Sequence, residues 1–200
     1  MARHDLWLLL YANSRCNDHN FFENGKGWVT LKAGAGVASK LQPGDLVVNL
    51  NHDVVFDIAI EQSGRPFEYV PVVDSPSSIK MAKPHGSINL LVNRNEQSFY
   101  FCASSQIPGS HESGLESLSD SILPPRLNKA YQEHPISKAI IDPLFNIKPD
   151  TLTYWGVGLT ESDIDLMNLY KSFCATAKSV EFINPNETIV EKAIVLDAVG

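Results

Sequence analysis

Leu41-Gln42-Pro43-Gly44-Asp45-Leu46-Val47-Val48-Asn49-Leu50-Asn51-His52-Asp53-Val54-Val55-Phe56-Asp57-Ile58-Ala59-Ile60 is the stretch whose reading decides the fold. Gln42-Pro43-Gly44-Asp45 is a strong turn signal, because proline presets φ and glycine accepts the conformations other residues avoid. Leu46 to Leu50 reads as a strand by its length and branched residues. Asn51-His52-Asp53 makes a tight turn, and Val54-Val55-Phe56-Asp57-Ile58-Ala59-Ile60 reads as the next strand. The two runs together predict an antiparallel hairpin.

Working outward, more short strands are expected. Leu6 to Tyr11 is apolar and too short for a helix, so it reads as a buried strand. Asn13 to Gly27 is polar and loop-like. Trp28-Val29-Thr30-Leu31 is a short strand or the opening of a turn. Gly34-Ala35-Gly36-Val37-Ala38 lacks both the dinucleotide fingerprint and the Gly-Lys-Ser/Thr ending of a phosphate loop, so a flexible helix start is the expectation. Phe67 to Val73 gives another strand. Ile88 to Val92 and Ser98 to Cys102 flank Asn93-Arg94-Asn95-Glu96 as a second hairpin.

The composition changes at Ser104. Residues 104 to 125 are rich in Ser, Gly and Pro, with Leu115, Leu118 and Ile122 at helical spacing. Leu127 to Ile141 predicts a helix broken at Pro135. Thr151 to Gly158 predicts a strand. Thr160-Glu161-Ser162-Asp163 resembles a helix cap followed by Ile164, Met167, Tyr170 and Cys174 in steps of three and four, so a helix is expected to about Lys178. Ile189 to Val199 closes the chain as a helix or a strand. The expected class is α+β, in one domain over residues 1 to 200. Its β-rich core covers about 5–103 and 151–158, a helical and loop insertion covers about 104–150, and a helix and closing segment cover about 160–200.

Composition limits the functions. The chain of 200 residues is 44% apolar, enough for a core without covalent staples. Cys16, Cys102 and Cys174 are far apart and odd in number, which points to reduced core residues rather than a disulfide framework or a zinc site. The longest apolar run falls well short of the roughly 20 residues that span a bilayer. The acid at Asp5 and the missing cleavage site argue against a secretory signal. No membrane partner and a cytoplasmic location are expected. The net charge of -7 argues against a wide phosphate-gripping surface, but leaves room for a small pocket with a local basic rim.

Chemistry-bearing clusters are sparse. None of the six histidines stands at metal-ligand spacing from another, and each reads as a solvated surface residue. There is no serine-hydrolase elbow and no acid-x-Lys pairing of the nuclease kind. No metal or cofactor is expected. The remaining constellation is aromatic and amide. Trp28 is flanked by glycines, Asn49 and Asn51 bracket the hairpin turn, and Asp57 sits in an apolar strand where a charge needs partners. A flat base could stack on Trp28 while Asn and Asp side chains match its edges. The plainer alternative also stands: Trp28 in the core, the asparagines shaping the turn, and Asp57 bonded to backbone.

Two stretches resemble the small barrels of the PUA-like superfamily, in particular its EVE and YTH branches. Gly27-Trp28-Val29-Thr30 is similar to the opening of YTH domains, where the Trp is a wall of an aromatic cage. Leu41 to Ile60 resembles the Met-x-x-Gly-Asp strand of EVE domains and the Asn-containing hairpin of YTH domains. The likeness spans residues 5 to 62, under a third of the chain. It implies a PUA-like twisted β-barrel with flanking helices. Such domains recognise a modified or flipped-out base and stand at the front of modification-dependent restriction systems.

Roles follow from that resemblance. Trp28 would enclose the base, with Thr30 beside it; Asn49 or Asn51 would donate to a ring acceptor; Asp57 would accept from an exocyclic amine. Trp155, Tyr154 and Phe67 are the candidates for a second cage aromatic. Lys26, Lys32 and Lys40 would form a phosphate-facing rim. Extruding a base costs a few kcal/mol, which stacking and edge hydrogen bonds offset, and burying a methyl group contributes roughly 0.8 kcal/mol. The implied partner is nucleic acid with a modified base, DNA favoured over RNA, and further domains or subunits of a larger complex. The implied molecule is a binding module, or the non-catalytic targeting part of an enzyme. Two other classes stay open: a protein-interaction or regulatory module, and a nuclease with an unrecognised site.

Overall fold

The computed structural model describes residues 32–71, 75–93, 98–103, 134–155 and 164–183. They contain helices and strands in mixture, as the α+β expectation has it. The chain divides into two compact units, Met1–Leu123 and Pro124–Gly200. Each is described by itself.

In the first unit, α1 (Lys32–Ala38) leads through the predicted Pro43-Gly44 turn into β1 (Leu46–Val48). Gly44 takes φ 94° in that turn, a conformation glycine adopts without steric cost. The turn is closed by Asp45 N–H donating to Gln42 O (3.0 Å) and Gln42 N–H donating to the Asp45 carboxylate (2.7 Å). The predicted second strand of the hairpin is instead a helix, α2 (Val55–Gln62). Val54, Phe56, Ile58 and Ile60 alternate as a strand requires, yet Val54 and Ile58 also stand one helical turn apart. Both periods fit, and local chemistry favours the helix. The Asp53 side chain accepts from Val55 N–H (3.0 Å) at its start, and Gly64 takes φ 72° just beyond its end. Asp57 and Glu61 therefore lie on successive turns of a helix, not on one strand.

The helix makes β1 the first strand of a crossover rather than of a hairpin. α2 leads to β2 (Phe67–Tyr69), shorter than the strand expected to Val73. A strand absent from the sequence reading, β3 (Ile79–Ala82), then inserts between β1 and β2. The order is β1-β3-β2 and both pairings are parallel, with Leu46 opposite Lys80 and Phe67 opposite Ile79. α1 and α2 pack on each other. Ala38, Ala59, Ile60, Ile79 and Met81 are buried together, with Leu41, Val47, Phe56 and Phe67 against them. The predicted second hairpin is present as β4 (Leu90–Asn93) and β5 (Ser98–Phe101), antiparallel. Among the described residues the strands do not close into a barrel.

In the second unit, α3 (Pro135–Ile141) starts at Pro135, where a missing N–H costs nothing. A 3-10 turn follows over Asp142–Asn146. β6 (Thr151–Trp155), α4 (Ile164–Cys174) and β7 (Ser179–Ile183) form a strand-helix-strand unit with β6 and β7 parallel. α4 ends at Cys174, short of the Lys178 expected, and β7 was not foreseen. Leu166, Leu169, Tyr170 and Phe173 bury the apolar stripe of α4. Among the described residues no helix is long and apolar enough to cross a membrane. The expected strands at 6–11 and 28–31, the Ser/Gly/Pro-rich segment, the 160–163 cap and the closing segment lie outside the described residues.

Candidate functional site

Three parallel strands of the first unit end at one edge, at Val48, Tyr69 and Ala82. In open parallel sheets, loops leaving the carboxyl ends are where ligands are held. Here those loops carry Asn49, Asn51, His52 and Asp53 after β1, and Lys83, His85, Ser87 and Asn89 after β3.

A buried polar network fixes them. Asp57, on α2, is fully buried and so is Lys83. Lys83 Nζ lies 3.1 Å from Asp57 Oδ2 and also donates to the carbonyl of Asp53. The same Oδ2 accepts from the Tyr69 hydroxyl at 2.7 Å, and Oδ1 accepts from Asn49 Nδ2 at 3.3 Å. Asn89 Nδ2 donates to the Tyr69 oxygen (2.9 Å) and to the carbonyl of Cys102 (2.7 Å). Ser87 Oγ donates to Asn89 Oδ1 at 2.6 Å. Burial first, then the Asp57 carboxylate, push the Tyr69 hydroxyl far above its ordinary value, so it stays a donor across the working range. One carboxylate thus receives three donors, from β2 and from the loops after β1 and β3, as a buried charge requires.

The loops are also tied directly across the sheet edge. His85 Nδ1 donates to Leu50 O at 3.1 Å. Ile88 N–H (2.9 Å) and Ser87 Oγ (3.2 Å) both donate to His52 O. Asn49 Oδ1 accepts from Asn51 N–H at 3.0 Å and so shapes the turn. Gly86 takes φ 79° where the chain reverses after His85. The His52 and His85 rings face each other with centroids 6.0 Å apart. Tyr69 stacks on Phe101 at 4.3 Å, which carries the β4–β5 hairpin against this edge.

Asn49 and Asp57 meet in the network, and Asn51 is exposed at the same edge. Asp57 reaches it from a helix, where the expectation had a strand. Lys40 is exposed in the turn after α1. Lys32 opens α1. Trp155 is 38% exposed on β6, in the second unit. Trp28, Thr30 and Lys26 lie outside the described residues. Lys83, His85, Ser87, Asn89 and Tyr69 were not nominated. His85 is only 8% exposed, which corrects its reading as a solvated histidine. The available signal was Lys83-Pro84-His85-Gly86-Ser87, a dense polar and turn-forming run after Ile79-Lys80-Met81-Ala82. Lys80 disguised that strand; its amine is spent on Glu68 at 3.2 Å.

Among the described residues no group of three or more His, Cys, Asp or Glu side chains is placed to hold a metal ion. No protein-family model matches the chain, and no curated protein matches it.

Proposed function

We propose that the first unit binds a nucleotide at the carboxyl edge of its parallel sheet. The observation that supports this is the convergence of the loops after β1 and β3 on that edge, held there by the Asp57–Lys83 network. Preorganised loops of this kind hold an exposed group such as the Asn51 amide toward a polar ligand without further ordering cost. Asn51 is the exposed amide of the set and can match a base edge or a ribose hydroxyl. Asp57 and Lys83 hold the frame and do not read the ligand, since each is satisfied inside it.

The second reading is the modified-base reader on a PUA-like twisted barrel, in a cytoplasmic, modification-dependent restriction system. What favours it is the likeness of residues 27–30 and 41–60 to EVE and YTH domains, together with the base-matching chemistry of Asn49 and Asn51. Both readings place a base near the same asparagines. They differ in whether the base comes free or within a strand.

A calorimetric titration separates them. Adenosine, ADP, ATP and NAD are compared with short DNA and RNA oligonucleotides, methylated and unmodified, at one salt concentration. Binding of a free nucleotide, weakened about tenfold by Asn51→Ala, is the expected result, since one hydrogen bond to a ligand is worth about 1 kcal/mol. Methyl-dependent binding of oligonucleotides alone would establish the reader instead. A folded protein that binds none of them excludes both and leaves a protein-interaction module.

A further inference from the structure

We draw no further inference here: the strongest candidate, the exposed apolar pair Trp155 and Ile183 at the carboxyl ends of β6 and β7 in the second unit, is a surface patch for which nothing in the structure shows what covers it.

Discussion

The two units both contain a strand-helix-strand crossover with parallel pairing, yet their strands finish in opposite chemistry. β1 and β3 run out into Asn49, Asn51, Lys83 and His85, above a fully buried ion pair. β6 and β7 finish at Trp155 and Ile183, which stand opposite each other and are 38% and 49% exposed. Beneath them Tyr154 stacks on Phe182 at 5.0 Å and meets Tyr170 edge-on at 5.5 Å. The second unit is held by aromatic packing and the carboxyl edge of the first by a charged network. The comparison teaches that the crossover supplies a platform, while loop residues decide whether that platform can hold a polar ligand.

The largest expected effect breaks the network. Asp57→Ala leaves Lys83 buried without its counter-charge and should destabilise the first unit by about 3–5 kcal/mol. Urea unfolding followed on the whole chain measures it. Pairing Asp57→Leu with Lys83→Met should recover most of that loss, because two apolar residues leave no orphan charge. If the double variant is no better than Asp57→Ala, the ion pair is not what the edge depends on.

Removing one hydroxyl from each unit sharpens the contrast. Tyr69→Phe deprives both Asp57 and Asn89 of a partner in a buried setting and should cost about 1–3 kcal/mol. Tyr154→Phe removes a contact to the Cys174 sulfur at 3.2 Å and should cost below about 1 kcal/mol. Equal costs in the two variants would erase the distinction between the units.

The smallest effect concerns the exposed pair at the start of the second unit's sheet. Lys178 beside Asp150 holds that carboxyl below its usual 3.8, chiefly through a hydrogen bond at 2.6 Å. Because the folded value is depressed, its contribution is present above the usual value and is lost as pH falls through the lower one. Lys178 is shifted up by the same contact, so its contribution is present below the ordinary lysine value and fades as pH rises through the folded one. Lys178→Ala should return Asp150 to its usual range by NMR titration while barely moving the unfolding midpoint, since water and salt screen exposed pairs.

Several elements were readable from residues alone. The Pro43-Gly44 turn, the β4–β5 hairpin and β6 follow from signals within a few residues of each other. So does the existence of α4, but its buried stripe is shifted from the one expected: Tyr170 and Cys174 are buried, Ile164 is exposed and Met167 half-buried, and Leu166, Leu169 and Phe173 take their place. Asn49, Asn51 and Asp57 were also nominated from sequence, because amides at a turn and a charge among apolar residues both call for partners. Trp155 was nominated as a second cage aromatic under the family resemblance, and it stands exposed on β6 of the second unit.

What the sequence by itself determined is local: the Pro43-Gly44 turn, the β4–β5 hairpin, the existence of α4, and the need of Asp57 for a partner. Only the tertiary structure decided the rest. Residues 54–60 satisfy the periods of both strand and helix; Asp53 and Gly64 favour the helix locally, but which partners Asp57 meets from it is a matter of the tertiary structure. β3 carries Lys80 within it and Lys83 just after it, and it is recognisable as a central strand only when Glu68 and Asp57 are in place to receive them. Lys83 is 26 residues from Asp57 and His85 is 35 from Leu50. Pairings across such separations leave no trace in local patterning, because their stabilisation exists only after the parallel sheet has brought its carboxyl ends to one edge.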